Sequence, residues 1–268
     1  MRKLSLENRS ISVDILPDCG GAIAALRHKA GGKVIDLLRA ASAADIEARN
    51  LGHMACIPLA PFAAWTADKY LRFGGEAVEL GAVAEAARHL PTYWTVQDAS
   101  DVRATLTWYH QPGLWGWPWG FQILQRLRLH GDGLELYIAL TNIGAKPMPA
   151  GIGLRLNLDW RGETLLHGAG GAPVALGMKD IGFNGRILDA GLQVQWPHEG
   201  LALDVAPGGP FAYFNLRSRA RDHRAVLQPE THTGEAFGPD GGAREGGMAI
   251  LAQGDSLAGT VMLAARSL

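Results

Sequence analysis

The sequence predicts an all-β protein folded as one large antiparallel β-sandwich over residues 1–268, and three observations predict it. Short runs that alternate polar and apolar residues recur along the chain, the two-residue period of a half-buried strand. The chain holds 35 Gly and 14 Pro, many of them paired between those runs, where turns are made. Nothing between the runs has the length and 3.6-residue period of a crossover helix, which argues against a parallel α/β arrangement. Hydrophobic residues make up 47 % of the chain, enough for a large core, and sandwiches of this length commonly form one domain.

The elements follow in order. Residues 10–16 (Ser-Ile-Ser-Val-Asp-Ile-Leu) alternate as a strand until Gly20-Gly21 breaks them. Residues 23–28 and 33–38 flank Gly31-Gly32 and read as a hairpin. Residues 40–48 are the best helix candidate of the first third, with a surface loop as the alternative. Residues 70–80 read as another hairpin, and 93–96 and 103–109 as strands. The clearest hairpin joins residues 121–130 to 134–142 through Gly131-Asp132-Gly133. Further strands fit residues 151–158, 193–196, 201–205, 212–216, 225–227, 248–251 and 257–264. Residues 236–247 are Gly-rich and read as a long flexible loop rather than a domain linker.

Composition narrows the function. A formal net charge of -1 gives no field to attract nucleic acid or an anionic membrane. No run of 18 apolar residues is present, so no spanning helix is expected. Cys19 and Cys56 lie far apart without metal-ligand spacing, and a reducing compartment fits them. Residues 1–7 lack the apolar stretch of a signal peptide, so the expected location is cytoplasmic. His53 and His110 have no clustered acidic or His neighbours, which argues against a metal, and no Gly pair sits in a strand–loop–helix frame for a nucleotide.

Four segments, in order, resemble the aldose 1-epimerase (galactose mutarotase-like) family. Residues 54–62 (Met-Ala-Cys-Ile-Pro-Leu-Ala-Pro-Phe) resemble its G-C/S-F-P-L-x-P-Y/F segment. Residues 116–121 (Gly-Trp-Pro-Trp-Gly-Phe) resemble its G-Y-P-F-x-F entry to a hairpin. Residues 148–154 (Met-Pro-Ala-Gly-Ile-Gly-Leu) resemble M-P-x-G-x-G-x, and residues 227–232 with Ala236-Phe237 resemble V-E-P-x-T/S-H followed by A-F. The resemblance spans the chain from about Ile11 onward. It implies the galactose mutarotase-like sandwich with a sugar cleft on one face, a small-molecule sugar as partner, no cofactor, and a monomer or homodimer. The implied chemistry interconverts the α and β anomers of an aldose: a carboxylate takes the anomeric hydroxyl proton while a His protonates the ring oxygen.

The resemblance breaks at the residues that carry that chemistry. The family's proton-donating His falls on Arg155, which stays charged and cannot shuttle a proton. The family's base Glu falls on Gln228, whose amide binds hydroxyls but takes no proton at pH 7. The family's sugar-binding Asn-Arg pair falls on Ala64-Trp65, exchanging a cation for a stacking surface. His89 stands near a further family His without a firm alignment. Asp180, three residues before Phe183, resembles the family's sugar-contacting Asp, and His232 matches its His after Glu-Pro.

Each residue has a plainer reading. Glu230 lies two positions beyond Gln228, on the same face of an extended strand, and could serve as a displaced base with His232 as its partner. Alternatively His232 is a structural hydrogen-bonding residue and Glu230 is exposed. Arg155, Asp180, Gln228 and Trp65 are the expected sugar-binding set; Arg155 alternatively is a salt-bridged strand residue. Asp159 reads as a surface ion pair with Arg155 or Arg161. Of Trp115, Trp117 and Trp119, one is expected to face a ligand and two the core. Two functions remain open: an anomer-interconverting isomerase with a remodelled site, or a non-catalytic carbohydrate-binding protein on the same fold. A sandwich with no ligand would scatter these residues over separate surfaces.

Overall fold

A computed structural model describes residues 1–64, 70–89, 92–168, 172–187, 191–222, 224–237 and 246–268, with the side chains of 85–89, 183, 222 and 235 also outside the description. Among the described residues, two nine-stranded antiparallel sheets carry the fold. The first contains β1 (Leu4–Glu7), β2 (Ile11–Leu16), β3 (Ala22–Ala30), β4 (Lys33–Asp36), β5 (Cys56–Leu59), β13 (Gly153–Asp159), β16 (Ile181–Arg186), β19 (Tyr213–Arg219) and β20 (Arg224–Glu230). Its order is β1-β2-β3-β5-β13-β20-β19-β16, with β4 paired to β3. The second contains β8 (Thr95–Ala99), β9 (Arg103–His110), β10 (Phe121–His130), β11 (Gly133–Asn142), β14 (Leu165–His167), β15 (Val174–Ala175), β17 (Leu192–Trp196), β18 (Leu201–Gly208) and β22 (Ser256–Ser267). Two small ribbons pair β6 (Tyr70–Phe73) with β7 (Glu76–Glu79) and β12 (Met148–Ala150) with β21 (Ala249–Leu251).

Alternation decides what each sheet buries. On β13 the leucines Leu154, Leu156 and Leu158 enter the core, as do Phe214 and Leu216 on β19 and Leu227 on β20. They join Leu127, Leu136, Ile138, Val194, Leu203 and Leu263 of the second sheet in one contiguous apolar cluster. The intervening residues of β13, β19 and β20 are therefore turned to the outer face of the first sheet. The expected β10–β11 hairpin forms with Leu129 opposite Leu134, its buried Phe121, Ile123 and Leu127 alternating with outward Arg126 and Arg128.

The helix expected over residues 40–48 is α1 (Ala43–Glu47), capped by Ser42 and Asp45 in a reciprocal capping box. A second helix, α2 (Leu80–His89), stands where the sequence pattern places no element. It follows the β6–β7 ribbon outside both sheets, so it needs none of the length of a crossover, and buries Leu80 and Val83. The strands β1, β5, β12, β14, β15 and β16 also escape the sequence reading; they are short or, in β16, interrupted by Gly182 and Gly185. Among the described residues, no helix is long and apolar enough to cross a membrane.

Leu156 lies fully buried at the centre of the first sheet. Leu156→Ala is expected to lower the unfolding free energy by about 2–5 kcal/mol, read from the midpoint of denaturant unfolding.

Candidate functional site

Register gathers polar side chains onto the outer face of the first sheet. The pairing of β13 with β20 sets Gly153 against Glu230 and Leu156 against Leu227, which brings Arg155 beside Gln228. Gln228 pairs with Asn215 on β19, and Asn215 with Asn184 on β16. On the other side Arg155 pairs with Ile57 of β5. One row thus crosses five strands, from Ile57 through Arg155, Gln228 and Asn215 to Asn184, and cross-strand partners share a face. All five line a cavity of about 650 Å³, within the size range of small-molecule sites. The Asn215 amide donates to Asn184 Oδ1 within the row.

Glu230 belongs to the adjacent row and also lines the cavity. It is 0 % exposed, and among the described residues neither carboxyl oxygen has a hydrogen-bond partner. Burial pushes its pKa up to about 8, against an opposing pull from the Arg217 guanidinium. Its cross-strand neighbour Gly153 lets the 57–64 segment pack close: a Cβ there would stand 2.6 Å from the Ala63 Cβ. Arg217, opposite Val226, completes the polar lining.

The walls are held by hydrogen bonds to groups beside the cavity. The segment 57–64 forms one wall, and its Ala63 N–H donates to His232 Nε2 at 2.9 Å. Because Nε2 accepts, the ring proton sits on Nδ1, which donates to the Thr233 carbonyl at 3.0 Å. The Gly151 N–H donates to Pro61 O at 2.7 Å, fixing the same wall from below. A Cβ on Gly151 would fall 2.0 Å from His232 Cδ2, so this glycine makes room for the imidazole. Opposite, the Asn157 amide donates to Gly52 O and Met54 O, and Arg224 also donates to Gly52 O, seating the Leu51–Gly52 wall. Aromatic rings supply the apolar side: Phe62, Trp94, Trp108 and Trp115 line the cavity, with Trp108 and Trp115 stacked at 5.1 Å.

Three of the residues singled out in the sequence, Arg155, Gln228 and Glu230, meet in this cavity. Glu230 is buried, which excludes the exposed alternative for it. Two others lie outside the cavity lining. His232 is 0 % exposed, lies outside the cavity lining and has both ring nitrogens bonded to backbone groups. Burial pushes its pKa down to about 4, so it stays neutral at neutral pH. This placement is the one the plainer, structural reading describes. Asp180 is exposed at the entry to β16, outside the cavity lining, and its carboxylate accepts from the Ala220 N–H at 3.0 Å. Trp65 and the His89 side chain lie outside the described residues, as do residues 238–245 of the loop expected over 236–247.

The remaining expectations divide as follows. Trp117 and Trp119 are buried in the core and Trp115 lines the cavity. Asp159 pairs with Arg161 at 3.7 Å. His110 is buried between the Leu114 and Trp119 carbonyls, and His53 pairs with Asp45 at the surface. Among the described residues, no group of three His, Cys, Asp or Glu side chains could hold a metal. Both cysteines are free and buried. Sequence reasoning missed Asn184, Asn215 and Arg217. The signal for two of them was present, since Asn215 and Arg217 alternate with the apolar Phe214 and Leu216.

The fold and the cavity define an antiparallel β-sandwich with a polar cleft on the outer face of one sheet, open to a small molecule. No family profile and no curated protein matches the sequence. Solved structures do match the fold. A candidate aldose 1-epimerase from Escherichia coli K12 superposes with a TM-score of 0.82 at 19 % identity, covering 100 % of this chain and 99 % of that one. The GalM/aldose epimerase homologue from C. elegans gives 0.79 at 13 % identity over 100 % and 99 %. A galactose mutarotase-like protein from Lactobacillus casei ATCC 334 gives 0.76 at 16 % over 99 % and 100 %. The chain therefore has the galactose mutarotase-like fold, the one its four sequence segments resemble.

The two perturbed groups oppose one another in the pH dependence of stability. His232 binds its proton more weakly folded than unfolded, so its contribution is complete above pH 6.5 and lost toward pH 4. Glu230 binds its proton more tightly when folded, so its contribution is complete below pH 4.5 and lost as pH rises through 8. Glu230→Gln removes the second effect. This variant is expected to match the parent near pH 4.5 and to exceed it by up to about 4 kcal/mol at pH 8, measured by denaturant unfolding at both pH values.

Proposed function

We propose that the cleft binds a monosaccharide and that the protein interconverts its α and β anomers, with Glu230 as the proton-transferring group. The observation that carries this reading is Glu230 itself: a fully buried carboxyl, lining the cavity, with no hydrogen-bond partner for either oxygen among the described residues and a pKa raised to about 8. A structural carboxyl at such a site would be expected to hold hydrogen bonds. The likeness in fold to a galactose mutarotase-like protein and an aldose epimerase homologue supports the same chemistry. Amides at Gln228, Asn215 and Asn184 suit sugar hydroxyls, which both donate and accept, and the rings of Trp115 and Phe62 suit the C–H side of a pyranose.

The chemistry follows from what the cleft lacks as well as what it holds. Arg155 and Gln228 do not exchange protons, and His232 is sealed behind the wall. One carboxyl acid is sufficient if it acts through both oxygens. Its O–H gives a proton to the ring oxygen while its carbonyl oxygen takes the proton of the anomeric hydroxyl. The C1–O5 bond breaks, C1 becomes an aldehyde carbon, and the carboxyl ends neutral with its two oxygens exchanged in role. Each pair of oxygens shares one carbon, so their spacings match. Rotation about C1–C2 and the reverse transfer then close the ring on the other face.

This mechanism requires protonated Glu230, so kcat/KM is expected to be flat between pH 5.5 and 7 and to fall about tenfold per unit above pH 8. A carboxylate base would give the opposite profile, rising toward pH 8. NMR exchange spectroscopy on several aldoses reads the rate, and Glu230→Gln is expected to lower it by about 10²–10⁴-fold. Sugar binding without anomer exchange above the buffer rate would leave a carbohydrate-binding protein.

A further inference from the structure

Several arginines of this protein pair with carboxylates near the surface. Arg27 pairs with Asp14 and Asp36, Arg103 with Asp98, Arg161 with Glu199 and Arg266 with Asp204. Arg217 is not one of these: among the described residues it forms no salt bridge, and it lines the cleft. Arg155 lines the same cleft, two strands away across β20. With Arg217 opposite Val226 and Arg155 beside Gln228, their Cα atoms are about 12 Å apart by strand spacing and rise. A monosaccharide lying over Gln228 fits between them.

Glu230 is the only carboxyl group among the described lining residues, and at pH 7 it is mostly protonated. The lining described therefore presents two guanidinium groups and no full negative charge. A guanidinium fork matches a carboxylate or phosphate through two parallel N–H donors, a match that a neutral hydroxyl does not supply. Building on the sugar-binding reading above, we infer that the monosaccharide this cleft takes carries a negative group, a carboxylate or a phosphate, held by Arg217 with Arg155. The register also orients it. Glu230 lies four positions beyond Val226 along β20, so the anion sits away from the carboxyl that must remain protonated.

Isothermal titration of the full chain at pH 7 tests this, with glucose and galactose set against glucuronate, galacturonate, glucose 6-phosphate and inorganic phosphate. At least one acidic sugar is expected to bind tenfold or more tighter than its neutral parent, with an affinity that falls as salt is raised. The uronates and the sugar phosphate separate the two sources of charge. Arg217→Gln is expected to remove most of that advantage, and Arg217→Lys, which keeps the charge but loses the fork, to remove part of it. Neutral sugars binding as tightly as their acids would overturn the inference and leave the sugar-binding reading standing. Inorganic phosphate binding as tightly as the sugar phosphate, or an acid preference unchanged in Arg217→Gln, would overturn it equally. No sugar binding of either kind would overturn both.

Discussion

The pairing of β13 with β20 is the constraint on which the rest of the molecule depends. Gly153 against Glu230 and Leu156 against Leu227 fix which residues of both strands face the core. A slip of one residue would turn Leu154, Leu156 and Leu158 into water and drive Arg155 inward. Core and cleft are thus two faces of one register, and the apolar face enforces the polar one. The buried leucines supply the energy, at roughly 1.5–3 kcal/mol for each side chain removed from water. The cleft residues inherit their positions from that same register.

The end of β20 shows how environment divides roles between neighbours. Glu230 and His232 are two residues apart and both fully buried, yet they meet opposite surroundings. His232 finds a donor at Ala63 and an acceptor at Thr233, and Gly151 clears space for its ring. It becomes a strut for the 57–64 wall. Glu230 finds neither, and Gly153 beside it presents no side chain. A carboxyl buried without a hydrogen-bond partner among the described residues destabilises the fold.

The sequence made the sandwich legible because alternation and Gly punctuation report directly on strands and turns. The hairpin around Gly131-Asp132-Gly133 and the segments flanking Met148 and Gln228 were visible for that reason. Helix α2 was not, since its ten residues lie outside both sheets and carry no period long enough to stand out. In the site, Gln228 and Glu230 could be placed together because two residues on one strand share a face without any tertiary knowledge. Asn184, Asn215 and Arg217 could not, because their places depend on the order of strands β20, β19 and β16, which local pattern does not encode. Asp180 misled for the complementary reason: a matching short segment gave the residue, but its carboxylate is engaged by the turn at Ala220. His232 matched the family pattern and kept its place, and only the hydrogen-bond geometry of the fold assigns it a structural duty.

The row from Ile57 to Asn184 has a consequence for how the protein is made. Its five members come from chain positions as far apart as 57 and 228, and none is brought near its neighbour by a tight turn except across β19 and β20. Such non-local pairing slows folding, because the chain must close long loops before contacts reward it. No short stretch of the chain holds the row, so the cleft is not formed until β13 has found β20. Occupancy then acts back on the assembly: a ligand at a hundred times its dissociation constant adds about 2.7 kcal/mol to global stability, felt by all five strands at once.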